Sequence, residues 1–232
     1  MRCSPDLPLV GRAPTCPFCW PDERAVLWRM ATSHLLLARG PLVPGHLLIA
    51  ARDHRPTFMG GDDPALADLD AMGRLAARAM DAVFGRPVLT FEHGSSRPSA
   101  TADSHRGHAH VNVLPDLLGP GGLERIEHGL HRAGLSTGRL EAGELIEWYR
   151  HGRREEYFTC GTEAGHLVVD VEASAPPPRM FRRRLAELLG LDATTAVEWE
   201  RDPVPPWDRP EVAGLVRATS AASNLTTLGS AS

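Results

Sequence analysis

His108-Ala109-His110-Val111-Asn112-Val113-Leu114-Pro115 decides how this chain is read. Polar and apolar residues alternate and stop at a proline, the pattern of a strand with one face buried. Successive strand side chains point to opposite faces, so His108, His110 and Asn112 share one face. Ala109, Val111 and Val113 take the other face and belong in a core. Two imidazoles and an amide in a row make a poor core and a good chemical surface. The alternative is a polar sheet face that happens to hold two histidines.

The stretch before this strand supplies partners. Gly94 to Gly107 is a loop rich in Ser, Arg and Gly, with Ser104, Arg106 and Arg97 able to hold an anion. Asp62 to Phe84 reads as a helix: Asp62 or Asp63 caps it, Pro64 suits the first turn, and Gly85 ends it. Its apolar stripe is Leu66, Leu69, Met72, Leu75, Ala76, Met80 and Val83, a core face. Ala25–Met30, His34–Arg39, His46–Ala51 and Pro87–Phe91 read as strands, with a turn over Pro41–Gly45. His46 beside that turn reads as a packing or capping residue. Cys16-Pro17-Phe18-Cys19 is a Cys-x-x-Cys pair, for which a metal site, a redox pair and coincidence all stay open. A metal site would need two further ligands, most readily histidines, since Cys3 and Cys160 stand alone.

After Pro115, Gly121–Ala133 and Glu141–Tyr149 read as helices. Tyr157–Cys160 and His166–Val171 form a hairpin around Gly161 and Gly165. Met180–Leu189 follows as a helix with Arg182, Arg183 and Arg184 on a cationic face. Small polar residues from Ser220 onward suggest a disordered tail. The expected organisation is a domain over 1–118, an extension packed on it over 119–218, and a disordered tail over 219–232.

The chain has 232 residues, 42% of them hydrophobic, and a net charge of −4. Those values describe an ordinary globular protein able to bury a core. Without a basic surplus, polymeric nucleic acid is not an expected partner. No signal-peptide core and no run of about 18 apolar residues occur, so the expectation is a cytoplasmic protein that does not enter a membrane. Lysine and glutamine are absent, and asparagine occurs only at 112 and 224.

The motif strand resembles the signature of the histidine-triad (HIT) family, His-x-His-x-His followed by apolar residues. The resemblance extends to Cys16-Pro17-Phe18-Cys19, to Pro41-Leu42-Val43-Pro44-Gly45-His46, and to Arg52-Asp53-His54 at the end of the next strand. Phe91-Glu92-His93-Gly94 is similar to the segment entering the motif loop in larger members. Residues 14 to 116, about half the chain, are covered. The resemblance implies an α+β fold, an antiparallel sheet flanked by helices, here with a C-terminal helix-hairpin-helix extension. It also implies a nucleotidyl hydrolase or transferase, possible homodimers, and a small, phosphorylated substrate as partner.

On the same resemblance, His110 is the nucleophile, its other ring nitrogen hydrogen-bonded to a carbonyl that fixes the tautomer. Cys16, Cys19, His54 and His108 correspond to the ligands of a structural zinc ion in zinc-containing relatives. Asn112 stands where the third histidine is expected; an amide can donate to a phosphoryl oxygen but is no proton donor. Ala38 stands where relatives place an aspartate on the ribose hydroxyls, with Arg39 beside it to favour a more anionic ligand. These departures keep two other readings in play: a repurposed enzyme acting on a non-nucleotide biosynthetic intermediate, and a catalytically silent zinc-stabilised binding protein.

Overall fold

The computed structural model describes residues 16–95, 107–171, 180–192 and 204–229. The protein is an α+β molecule built on an eight-stranded antiparallel sheet, in the order β1-β2-β3-β5-β4-β7-β8-β6. The strands are β1 (Val26–Arg29), β2 (Ser33–Leu37), β3 (Leu47–Ala51), β4 (Val88–Ser95), β5 (His110–Pro115), β6 (Thr137–Glu141), β7 (Glu156–Thr162) and β8 (Gly165–Asp170). The helices are α1 (Asp63–Phe84), α2 (Gly122–Arg132), α3 (Glu144–His151), α4 (Met180–Leu188) and α5 (Val212–Gly229).

β5 lies inside the sheet, between β3 and β4, and its alternation sorts the two faces. Ala109, Val111 and Val113 enter one core with Leu35, Leu47 and Ile49. That core is roofed by Leu66, Leu69, Met72, Ala76 and Met80 of α1 and by Leu215 and Ala222 of α5. α1 begins as its sequence predicts: the Asp62 side chain accepts the Ala65 amide, and Gly85 ends the helix at φ 60. On the opposite face two apolar clusters form. Leu36, Ala38, Leu48 and Ala50 pack with Phe18 and Val26. Leu89, Phe91, Leu114, Phe158 and Cys160 pack under Ile126 and Leu130 of α2 and Phe181 and Leu185 of α4.

Three expectations change. The second half adds strands to the same sheet, because β7 pairs directly with β4, from Thr90↔Gly161 to Ser95↔Glu156. β6, unmarked by any strong alternation, forms the far edge of the sheet on β8. The tail expected to be disordered from 219 is helical as far as Gly229, where α5 lies against α1. Apolar residues at 212, 215 and 222 were enough to seat a helix whose surface is otherwise small and polar. Among the described residues no helix is long and apolar enough to cross a membrane.

Candidate active site and metal-binding group

The turn at Pro41–Gly45 and the start of β3 build one end of the site. Gly45 has φ +86, and a Cβ there would meet the Phe84 ring at 2.5 Å, so only glycine fits. The turn delivers His46 buried, its Nδ1 accepting the Leu42 amide at 3.1 Å. Nε2 of His46 therefore carries the proton and donates to Asn112 Oδ1 at 3.0 Å. That bond orients the amide, whose Nδ2 donates to the Phe91 carbonyl at 3.3 Å. Burial, reinforced by the nearby charge of Arg182, holds the His46 imidazole well below its usual pKa, so it stays neutral. Arg182, on α4, also donates to the Gly40 carbonyl, and Glu211 accepts the Gly45 amide at 3.3 Å. Arg182 of α4 and Glu211, the residue before α5, thus hold the turn at its two ends.

His110 opens β5 and is half-buried. Its Nδ1 donates to the backbone carbonyl of His108 at 2.9 Å. With the proton on Nδ1, Nε2 keeps its lone pair, the form a nucleophilic or basic imidazole needs. Phe18 lies flat on this ring, with centroids 4.8 Å apart and planes inclined by 22°.

His108 precedes the strand, and its imidazole turns toward the N-terminal segment. Nε2 donates to the Ala51 carbonyl at 2.7 Å, which leaves Nδ1 as an acceptor or ligand. Burial lowers the pKa of this imidazole to about 4. Nδ1 of His108 lies 3.4 Å from Cys16 Sγ, 3.6 Å from Cys19 Sγ and 3.3 Å from His54 Nδ1. Cys19 Sγ lies 3.4 Å from His54 Nδ1, and the four donor atoms all fall within 4.8 Å of one another. A tetrahedral ion with bonds of about 2.3 Å to sulfur and about 2.05 Å to nitrogen separates S from N by about 3.6 Å and N from N by about 3.3 Å. The observed spacings are those of such a cage. Cys16, Cys19, His54 and His108 can therefore hold a metal ion.

The structure brings His110, Asn112 and the four sulfur and nitrogen donors together on one face. Arg39 is exposed on the turn after β2. Ala38 beside it is buried, with no polar group to offer a ligand. Ser104, Arg106 and Arg97 lie outside the described residues. Phe18 and His46 carry more of the site than their sequence context suggested. Their signals were present, since Phe18 sits between two candidate ligands and His46 shares the parity of Leu48, which pairs with Asn112.

No protein-family model matches the chain, and no curated protein matches it. Among solved structures it is similar to histidine-triad-like proteins. A Hit-like protein involved in cell-cycle regulation from Bartonella henselae is 17% identical, covering 41% of this chain and 68% of its own, at a TM-score of 0.34. A hypothetical histidine triad nucleotide-binding protein from Sulfolobus tokodaii is 20% identical, covering 43% and 68%, at 0.35. Yeast Ap4A phosphorylase, solved with AMP, is 16% identical and covers 78% of both chains, at 0.40.

Proposed function

We propose that this protein is a histidine-triad-type enzyme that transfers or hydrolyses a nucleotidyl or related phosphoryl group through His110. The observation that carries the reading is the hydrogen bond from His110 Nδ1 to the His108 carbonyl, 2.9 Å long. It places a proton on Nδ1, the tautomer whose Nε2 lone pair a nucleophilic imidazole uses. Nε2 attacks phosphorus and forms an N–P bond as the leaving group departs with the bonding pair. Water or another acceptor then breaks that bond and restores the imidazole. The second amide N–H of Asn112 is the donor proposed for a phosphoryl oxygen, its first being held by Phe91. Ser104, Arg106, Arg97 and Arg39 are proposed to complete the anion site.

Cys16, Cys19, His54 and His108 are proposed to hold a structural zinc ion, with two thiolates and two imidazoles closing its coordination. Bound there, zinc supplies a cross-link between the N-terminal turn and the residue whose carbonyl orients His110. Metal analysis of purified protein should give about one zinc per chain, lost in Cys16→Ser and His108→Ala.

The test of activity is turnover of nucleoside phosphoramidates, dinucleoside polyphosphates and nucleotide sugars by the parent and by His110→Ala. Product from the parent alone supports the reading. Equal product from both overturns it, and ligand binding without product would leave a zinc-stabilised binding protein. A buried Ala38 in place of a ribose-binding carboxylate favours one second reading, a phosphorylated substrate that is not a ribonucleotide. Turnover of phosphorylated biosynthetic intermediates with none of the nucleotides would establish it.

A further inference from the structure

Phe18 touches the nucleophile proposed above, although it belongs to the metal-binding turn. Its ring stacks on His110 at 4.8 Å with 22° between planes, and lies 5.3 Å from the His108 ring at 39°. It is also packed on the cluster of Leu36, Ala38, Leu48 and Ala50. The turn that carries it is closed by the Trp20 amide on the Cys16 carbonyl at 3.1 Å, and its two sulfur atoms lie against His108 and His54.

The bond from Nδ1 to the His108 carbonyl fixes one edge of the His110 ring. A flat partner on the ring face, as Phe18 is, restricts tilting of the ring plane. The Nε2 lone pair lies in the ring plane, so a partner on the face orients it without covering it. Orientation of this kind is worth orders of magnitude in rate when reacting atoms must align.

We propose that Phe18 is a positioning residue, through which the Cys16-Cys19-His54-His108 group orients the ring of His110. The inference rests on the reading of His110 as nucleophile. It makes the metal-binding group a determinant of nucleophile geometry by two routes. The His108 carbonyl sets one edge of the ring, and Phe18, anchored between Cys16 and Cys19, sets its plane. Loss of metal then disturbs His110 without any ligand atom touching the substrate.

The test is histidine ring NMR on the zinc-loaded full chain, with His110 assigned by its loss in His110→Ala. Stacking on Phe18 should displace the His110 ring protons upfield, and Phe18→Leu should return them toward the position of an unstacked histidine. Phe18→Tyr should keep the displacement. Chelation should move the His110 signals in the parent and much less in Phe18→Leu, which has no ring to release. In parallel, Phe18→Leu should slow nucleotidyl transfer to His110 by about tenfold or more with donor KM within about twofold, and Phe18→Tyr should recover the rate. His110 signals unmoved by Phe18→Leu, or an effect on KM alone, would overturn the proposal. Should Phe18→Leu fail to fold, Phe18→Met, which keeps apolar bulk but has no ring, reads the same coupling before and after chelation. A parent that transfers no nucleotidyl group defeats the enzymatic reading, while the NMR comparison still decides whether Phe18 orients His110.

Discussion

Glu92 is a carboxyl with no exposure, on the sheet face away from His110. It accepts from Tyr149 at 2.5 Å and from Tyr157 at 2.8 Å, and Tyr157 in turn meets Thr57 Oγ1 at 2.5 Å. Burial outweighs these bonds and pushes its pKa up to about 7. The folded protein therefore holds the proton more tightly than the unfolded chain does. The resulting contribution, up to about 3 kcal/mol, is complete below pH ~4.5 and is lost as pH rises through ~7. Urea unfolding of the parent and Glu92→Gln across this window should show that slope in the parent alone. His46 acts in the opposite sense: kept neutral in the fold, it lowers stability as pH falls below ~6.5, in both proteins. Asn112 accepts from His46 and donates to Phe91. Asn112→Ala should cost about 1–3 kcal/mol by leaving those groups unpaired, whatever it does to activity. Denaturant midpoints would check it.

At the scale of elements, the parts readable in the sequence were those whose signals are local. α1 announced itself by cap, stripe and terminating glycine, and β5 by strict alternation. The cluster that could hold a metal ion was legible only by resemblance, since nothing in the sequence spacing brings Cys16 and Cys19 together with His54 and His108. β6 and α5 were missed because their signals are tertiary: β6 exists by pairing with β8, and α5 by packing on α1. The Pro41–Gly45 turn combines both kinds. Its glycine was visible, but the Phe84 ring that forbids any Cβ was not. Gly45→Ala should cost at least about 1–3 kcal/mol from the left-handed backbone alone. Because Phe84 must also move, thermal melting should show a larger loss than Gly60→Ala, where nothing crowds the Cβ.

Across the whole molecule, one sheet joins the two halves, and residues of the C-terminal segment reach the turn beside His46. Arg182 holds Gly40, Glu211 holds Gly45, and Leu215 and Ala222 complete the core over α1. Deleting residues 219–232 should therefore lower the melting temperature of the whole chain, because it removes Ala222 from the core, where removal of a disordered tail would leave it unchanged. Differential scanning calorimetry decides between them. Removal of the proposed zinc ion should likewise lower the melting temperature, because it would untie the N-terminal turn from His54 and His108. The most direct test of the His110 chemistry is intact mass after brief mixing with nucleotidyl donors, quenched at neutral to basic pH to spare an acid-labile N–P bond. The predicted result is one added nucleotidyl group per chain, absent in His110→Ala. Turnover with no adduct at any quench time, or an adduct that persists in His110→Ala, would contradict it.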